Sequence, residues 1–120
     1  MGVKQAVRSF VKKFAKAAGV KPPKVIFLKK TPPHIKKYAE LHGKTRDLER
    51  YGAMYYDPKD KAIKICPNTE ITKFHLAHEF AHYLQDLRGE LKETRMISKQ
   101  RMRIEREADK IARRLLRKIR

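Results

Sequence analysis

The chain has no tryptophan, a single cysteine, and only 13 acidic residues against 31 Lys and Arg. Each shortage excludes something. One thiol, Cys66, cannot build an intrachain disulfide framework and suits a reducing interior. No apolar run reaches the roughly 18 residues of a membrane-spanning helix. The opening Met1-Gly2-Val3-Lys4-Gln5-Ala6 lacks both a hydrophobic signal core and the Ser or Thr of a myristoylation site, so a cytoplasmic protein is expected. The shortage of acid leaves a net charge of +18. Such a charge attracts anionic partners, nucleic acid or acidic lipid among them, and also fits a thermophile's charged exterior.

What is present describes one folded domain of 120 residues, 41% hydrophobic and 37% charged, too short for a separate substrate-binding domain. Val3, Val7, Phe10, Val11, Phe14 and Ala18 recur at helical spacing, and Gly19 closes that first helix. Pro22-Pro23 and Pro32-Pro33 bracket Val25-Ile26-Phe27-Leu28, which reads as a buried strand. A short helix is expected over Ile35 to Leu41, closed by Gly43. Tyr51 to Tyr56 and Lys61 to Cys66 flank the turn residues Asp57-Pro58-Lys59-Asp60 and read as a hairpin. A helix capped by Asn68 or Thr69, with Glu70 in its first turn, should run to Leu87 and stop at Gly89. Residues 88–97 read as a polar connection, and a last helix runs from Ser98 to Arg120. The expected class is α+β, with a short, mostly antiparallel sheet.

Within the helix expected to run to Leu87 lies His78-Glu79-Phe80-Ala81-His82, an HExxH motif. Side chains four apart on a helix share one face, so both imidazoles can reach one ion, and Glu79 falls beside the ion's open position as a general base. Two ordinary helix histidines are the plain alternative. A catalytic zinc takes three protein ligands, and the last helix offers the third. Met102, Ala108, Ala112, Leu115, Leu116 and Ile119 form its apolar stripe, and Glu105 and Asp109 fall within it. Carboxylates on a core-facing stripe are costly unless paired or metal-bound. Glu105 is therefore the expected ligand. Asp109 is expected to accept the remaining N–H of a zinc-bound imidazole, with a salt bridge to an arginine as the alternative.

HExxH followed by Glu105-Arg106-Glu107-Ala108-Asp109 resembles the gluzincin zinc metallopeptidases, whose third ligand is the first Glu of a helical ExxxD. Size and the hairpin narrow the resemblance to the minigluzincins, small proteins similar to the catalytic cores of integral-membrane metallopeptidases. It covers roughly Tyr51 to Leu116. It implies a zincin-like domain with an active-site helix and a glutamate-bearing C-terminal helix. It also implies a peptide or protein substrate, held extended against an edge strand of the hairpin. Latency is implied too, with a terminal segment lying over the cleft through self-inhibition or self-association. Zinc held by His78, His82 and Glu105 would polarise the scissile carbonyl and acidify water, with Glu79 carrying the proton to the leaving amine.

Several roles stay open. Tyr55, Tyr56 and His75 are candidates to stabilise the oxyanion, with ordinary packing as the alternative for each. Cys66 reads as a buried strand thiol, or as a cap on a resting zinc. The charge admits two rival functions: a SprT-like or ImmA-like protease acting on DNA-associated proteins, or a non-enzymatic nucleic-acid-binding module.

Overall fold

The computed structural model describes residues 2–91 and 98–119. Most of the connection expected over 88–97, and the expected helix end at Arg120, lie outside the described residues. Helix α1 (Val3–Ala18) buries Val7, Val11, Phe14 and Ala15 and leaves its lysines and Arg8 exposed. It ends as its pattern predicts. Gly19 takes φ 70 and donates to the Lys16 carbonyl, while Val20 N–H reaches Ala15 O, a left-handed cap that glycine enters without a Cβ penalty.

Three strands form one sheet in the order β1-β3-β2, with β1 Lys24–Phe27, β2 Met54–Asp57 and β3 Ala62–Ile65. β2 and β3 make the expected antiparallel hairpin, but β1 runs parallel to β3. The sheet is therefore mixed rather than mostly antiparallel. Between β1 and β3 the chain must pass through α2 (Pro33–Leu41), α3 (Thr45–Tyr51) and β2, a crossover long enough for a parallel pair. β1 is also an edge strand with half-buried side chains, not the buried strand expected. Its flanking prolines suit an edge, where a missing N–H breaks no ladder.

Helix α3 was not foreseen, because none of its residues is buried and no apolar stripe marks it. Tyr51 closes this helix instead of opening a strand, and Gly52 turns the chain at φ 72. A Cβ at Gly52 would lie 2.4 Å from Thr69 Oγ1, so the approach requires glycine. The Thr69 hydroxyl is occupied there: it donates to the Cys66 carbonyl at 2.6 Å and accepts from Ala53 N–H at 3.1 Å. Thr69 thus seals the hairpin and is unavailable as a helix cap. Helix α4 (Lys73–Leu87) starts later than expected, capped by Thr72, whose hydroxyl accepts from His75 N–H at 3.1 Å. Glu70 accordingly precedes the helix.

Helix α4 is central, packing on β2, β3, α1 and α5 (Ser98–Lys118). Phe14, Phe80, Ile63 and Leu76 are almost wholly buried where these elements meet, each side chain stabilising the fold by about 1.5–3 kcal/mol through removal from water. On α5 the buried residues are Ala108, Ile111, Ala112 and Leu115. The expected stripe therefore fails at its start, where Met102 is 60% exposed and Glu105 lies on the rim. Both terminal helices are core elements, so truncation to Val20 or from Arg113 would strip Phe14 or Leu115 and test folding before latency. Among the described residues no helix is long and apolar enough to cross a membrane.

Candidate metal centre

His78 and His82 project from successive turns of α4 toward α5, which runs alongside and brings Glu105 and Asp109 to them. Their ring planes stand nearly perpendicular with centroids 4.7 Å apart. His78 Nε2 lies 2.9 Å from Glu105 Oε2 and 3.1 Å from His82 Nε2, and His82 Nε2 is 3.2 Å from Glu105 Oε1. These three residues are close enough to hold a metal ion.

The outer ring nitrogens decide what the inner ones offer. His78 Nδ1 is 2.8 Å from Asp109 Oδ1, and a carboxylate accepts, so Nδ1 carries the proton. His82 Nδ1 is 2.8 Å from Gln85 Oε1, while Gln85 Nε2 donates to the Ile104 carbonyl at 2.9 Å. Because that carbonyl can only accept, the Gln85 amide has one orientation, and His82 Nδ1 is the donor. In its neutral form each ring therefore turns a bare Nε2 lone pair toward the same point, where a carboxylate supplies a third acceptor. Three acceptors without a donor require a cation. Tetrahedral zinc, with bonds of about 2.0–2.2 Å, would separate its ligand atoms by about 3.3–3.5 Å, close to the spacings found.

Protons answer the same demand when no ion is bound. The hydrogen bond that Glu105 accepts raises His78 to about 9 against burial, with Glu79 and Asp109 helping. Burial works to lower His82, yet Glu105 and Glu79 outweigh it and the net shift is upward. Glu105 is held well below the usual carboxylate range by its bonds to His78 and then His82. A histidine whose folded pKa exceeds its unfolded value stabilises fully below the unfolded value, near 6.5, and loses that contribution as pH rises through about 9. Thermal melts of the protein in chelator should therefore show a midpoint falling between about pH 6.5 and pH 9. A midpoint constant or rising over that window would contradict the proton-bridged cluster.

Glu79 occupies a different environment from Glu105. It is 7% exposed, its Oε1 accepts the Tyr56 main-chain N–H at 3.0 Å, and its Oε2 is 3.8 Å from His75 Nε2. Burial raises its pKa, against the pull of His82 and His78. The Tyr56 N–H is available because Cys66 N–H bonds Ala53 O at 2.9 Å. With Tyr56 opposite Ile63, alternation along the ladder turns the polar groups of Met54 and Tyr56 off the free edge of β2.

Other candidates lie elsewhere. The Tyr56 hydroxyl donates to Asp86, which also pairs with Lys61, and the Tyr55 ring packs edge-on against His34. Of the three, His75 stands beside Glu79 through its side chain and Tyr56 only through its main-chain N–H. Cys66 is buried and outside the metal cluster, its thiol pKa raised by burial. Asp109 faces His78 rather than an arginine.

Gln85 was missed by sequence reading. It is 1% exposed, and among the polar side chains of α4, which include Lys73, His75 and Asp86, nothing in the sequence singles it out. Replacing it by Leu should weaken metal binding by about 10–100-fold, because His82 loses the partner that fixes its tautomer. Gln85→Glu keeps an acceptor for His82 Nδ1 and should retain more affinity. Competition with a chelating dye would measure both, and equal affinities for Gln85→Leu and the parent chain would remove Gln85 from this role. Compared with protein-family models, curated proteins and solved structures, the chain matches none.

Proposed function

We propose that the protein is a zinc-dependent endopeptidase of gluzincin type, with His78, His82 and Glu105 holding the ion and Glu79 as general base. The observation that carries this reading is the convergence of three lone-pair acceptors beside a buried carboxylate. Two neutral imidazoles and one carboxylate suit zinc, and three protein ligands leave room for substrate. Zinc bound there supplies Lewis acidity, polarising a carbonyl and making water nucleophilic near neutral pH.

The chain's own groups do the rest. The Tyr56 N–H anchors Glu79 Oε1, which leaves Oε2 to take a proton from the attacking water and return it to the departing amine as the C–N bond breaks. Burial keeps that carboxylate's pKa raised, which makes it a better base. Asp109 and Gln85 hold the two rings in the tautomers that present Nε2. The outer edge of β2 offers Met54 main-chain groups for pairing with an extended peptide.

A mixed peptide library, followed by mass spectrometry, tests this directly. Cleavage should cease after chelation and return on adding zinc. Cleavage indifferent to chelator, or absent with zinc bound at the cluster, would overturn the reading.

A further inference from the structure

The net charge is not spread over the chain. Residues 1–39 and 110–120 carry 17 Lys and Arg and no Asp or Glu, while residues 40–109 carry 14 Lys and Arg against 13 acids. The half that holds the candidate metal centre is thus nearly neutral, and the excess resides in two segments far apart in sequence. The fold joins them. α1 packs on α5, and Val7, Val11 and Phe14 share one core cluster with Ala112 and Leu115. We propose that the exposed cations on these adjoining elements, α1, β1 and the C-terminal half of α5, bind the phosphate backbone of double-stranded nucleic acid, and this does not depend on the peptidase reading.

Placement of the cations supports that partner. Lys4, Arg8, Lys12 and Lys16 on α1, Lys21 and Lys24 beside it, and Lys110, Arg113, Arg114, Arg117 and Lys118 on α5 are all exposed. The four α1 residues recur every fourth position, a step of about 6 Å along the axis. They span about 18 Å, over which one strand of a duplex presents about five phosphates. Lys4 Nζ and Arg8 Cζ sit 5.5 and 5.2 Å from the Phe27 ring centroid, and Arg8 reaches the Val25 carbonyl. These contacts fix charges against β1 instead of leaving them on free stems.

The same features argue against other polyanions. An anionic membrane would need an apolar helix face, but α1 has spent its apolar face on the core, and Val3 is its one exposed apolar residue. Single strands bind by stacking on open aromatic rings. Here Phe27 already carries Lys4 and Arg8, and Phe10 carries Lys13 and Lys73.

Fluorescence anisotropy with a labelled duplex of about 20 base pairs, titrated with the full chain from about 50 to 200 mM salt, tests the inference. Binding should weaken with a log–log salt slope of about −4 or steeper. Lys4→Glu, Arg8→Glu and Lys12→Glu together should weaken binding about tenfold or more and flatten the slope by about 2–3. Arg114→Glu, Arg117→Glu and Lys118→Glu should do the same from the other helix. The control Lys44→Glu, Arg46→Glu and Lys59→Glu makes the same change in net charge on the neutral half and should leave affinity within about threefold. Thermal melts of each variant exclude unfolding as the cause. Equal losses in all three variants would overturn the inference, as would no binding at the lowest salt. So would tighter binding to phosphatidylserine vesicles than to the duplex.

Discussion

Replacing Glu79 by Gln should lower peptide cleavage by about 100- to 10,000-fold, the range associated with a positioned general base, while leaving metal content unchanged. The substitution is close to isosteric. Its amide oxygen can still accept the Tyr56 N–H that Glu79 Oε1 accepts at 3.0 Å, so the link between α4 and β2 survives. What disappears is the ability to take a proton at the second oxygen. A buried carboxylate also carries a desolvation cost, so the variant should melt at the same temperature or slightly higher. Metal analysis and peptide cleavage on the same preparation separate chemistry from folding. Full cleavage by the variant would remove Glu79 from the mechanism and leave the cluster without its base.

His82→Ala and Glu105→Ala should each weaken zinc binding by roughly two to three orders of magnitude. Structural zinc binds with about 10–16 kcal/mol over four ligands, so one ligand corresponds to about 3–4 kcal/mol. Glu105 is the cleaner case. It is exposed on α5, with its side chain 58% accessible, so its removal leaves no cavity and the metal-free fold should persist. His82→Ala also frees the buried Gln85 amide from its partner and should lower the melting point of the metal-free chain. The two variants together separate loss of a ligand from loss of packing. Zinc should raise the parent's melting temperature and fail to raise either variant's at the same concentration. Parent-like affinity in Glu105→Ala would demand a different third ligand.

Much of the site was legible because it depends on local geometry. The i,i+4 spacing of His78 and His82 needs only a helix. Glu105 and Asp109, also four apart, fall on one face of the next helix by the same rule. The apolar stripe accounts for only part of the position of Glu105. Its helix does face α4, but Glu105 sits at the exposed rim beyond the last buried turn, so its placement reflects pairing with histidines rather than burial in the core. Gln85 and the Tyr56 N–H could not be assigned from sequence, because their roles depend on which α5 carbonyl and which strand edge approach α4. The β1 pairing was hidden for a similar reason. Hydrophobic runs mark a strand, but a parallel partner more than 30 residues away is chosen by the crossover. Thr69 and Thr72 illustrate local competition: both can cap a helix, and the close approach at Gly52 commits Thr69 to the hairpin.

The central claim is that His78, His82 and Glu105 form one zinc centre. X-ray diffraction from zinc-loaded crystals at wavelengths on either side of the zinc absorption edge tests it most directly. A single anomalous peak should appear about 2.0–2.2 Å from both Nε2 atoms and a Glu105 oxygen, with Asp109 and Gln85 still on the outer nitrogens. A peak elsewhere, or none at this cluster in crystals grown with excess zinc, would contradict the account.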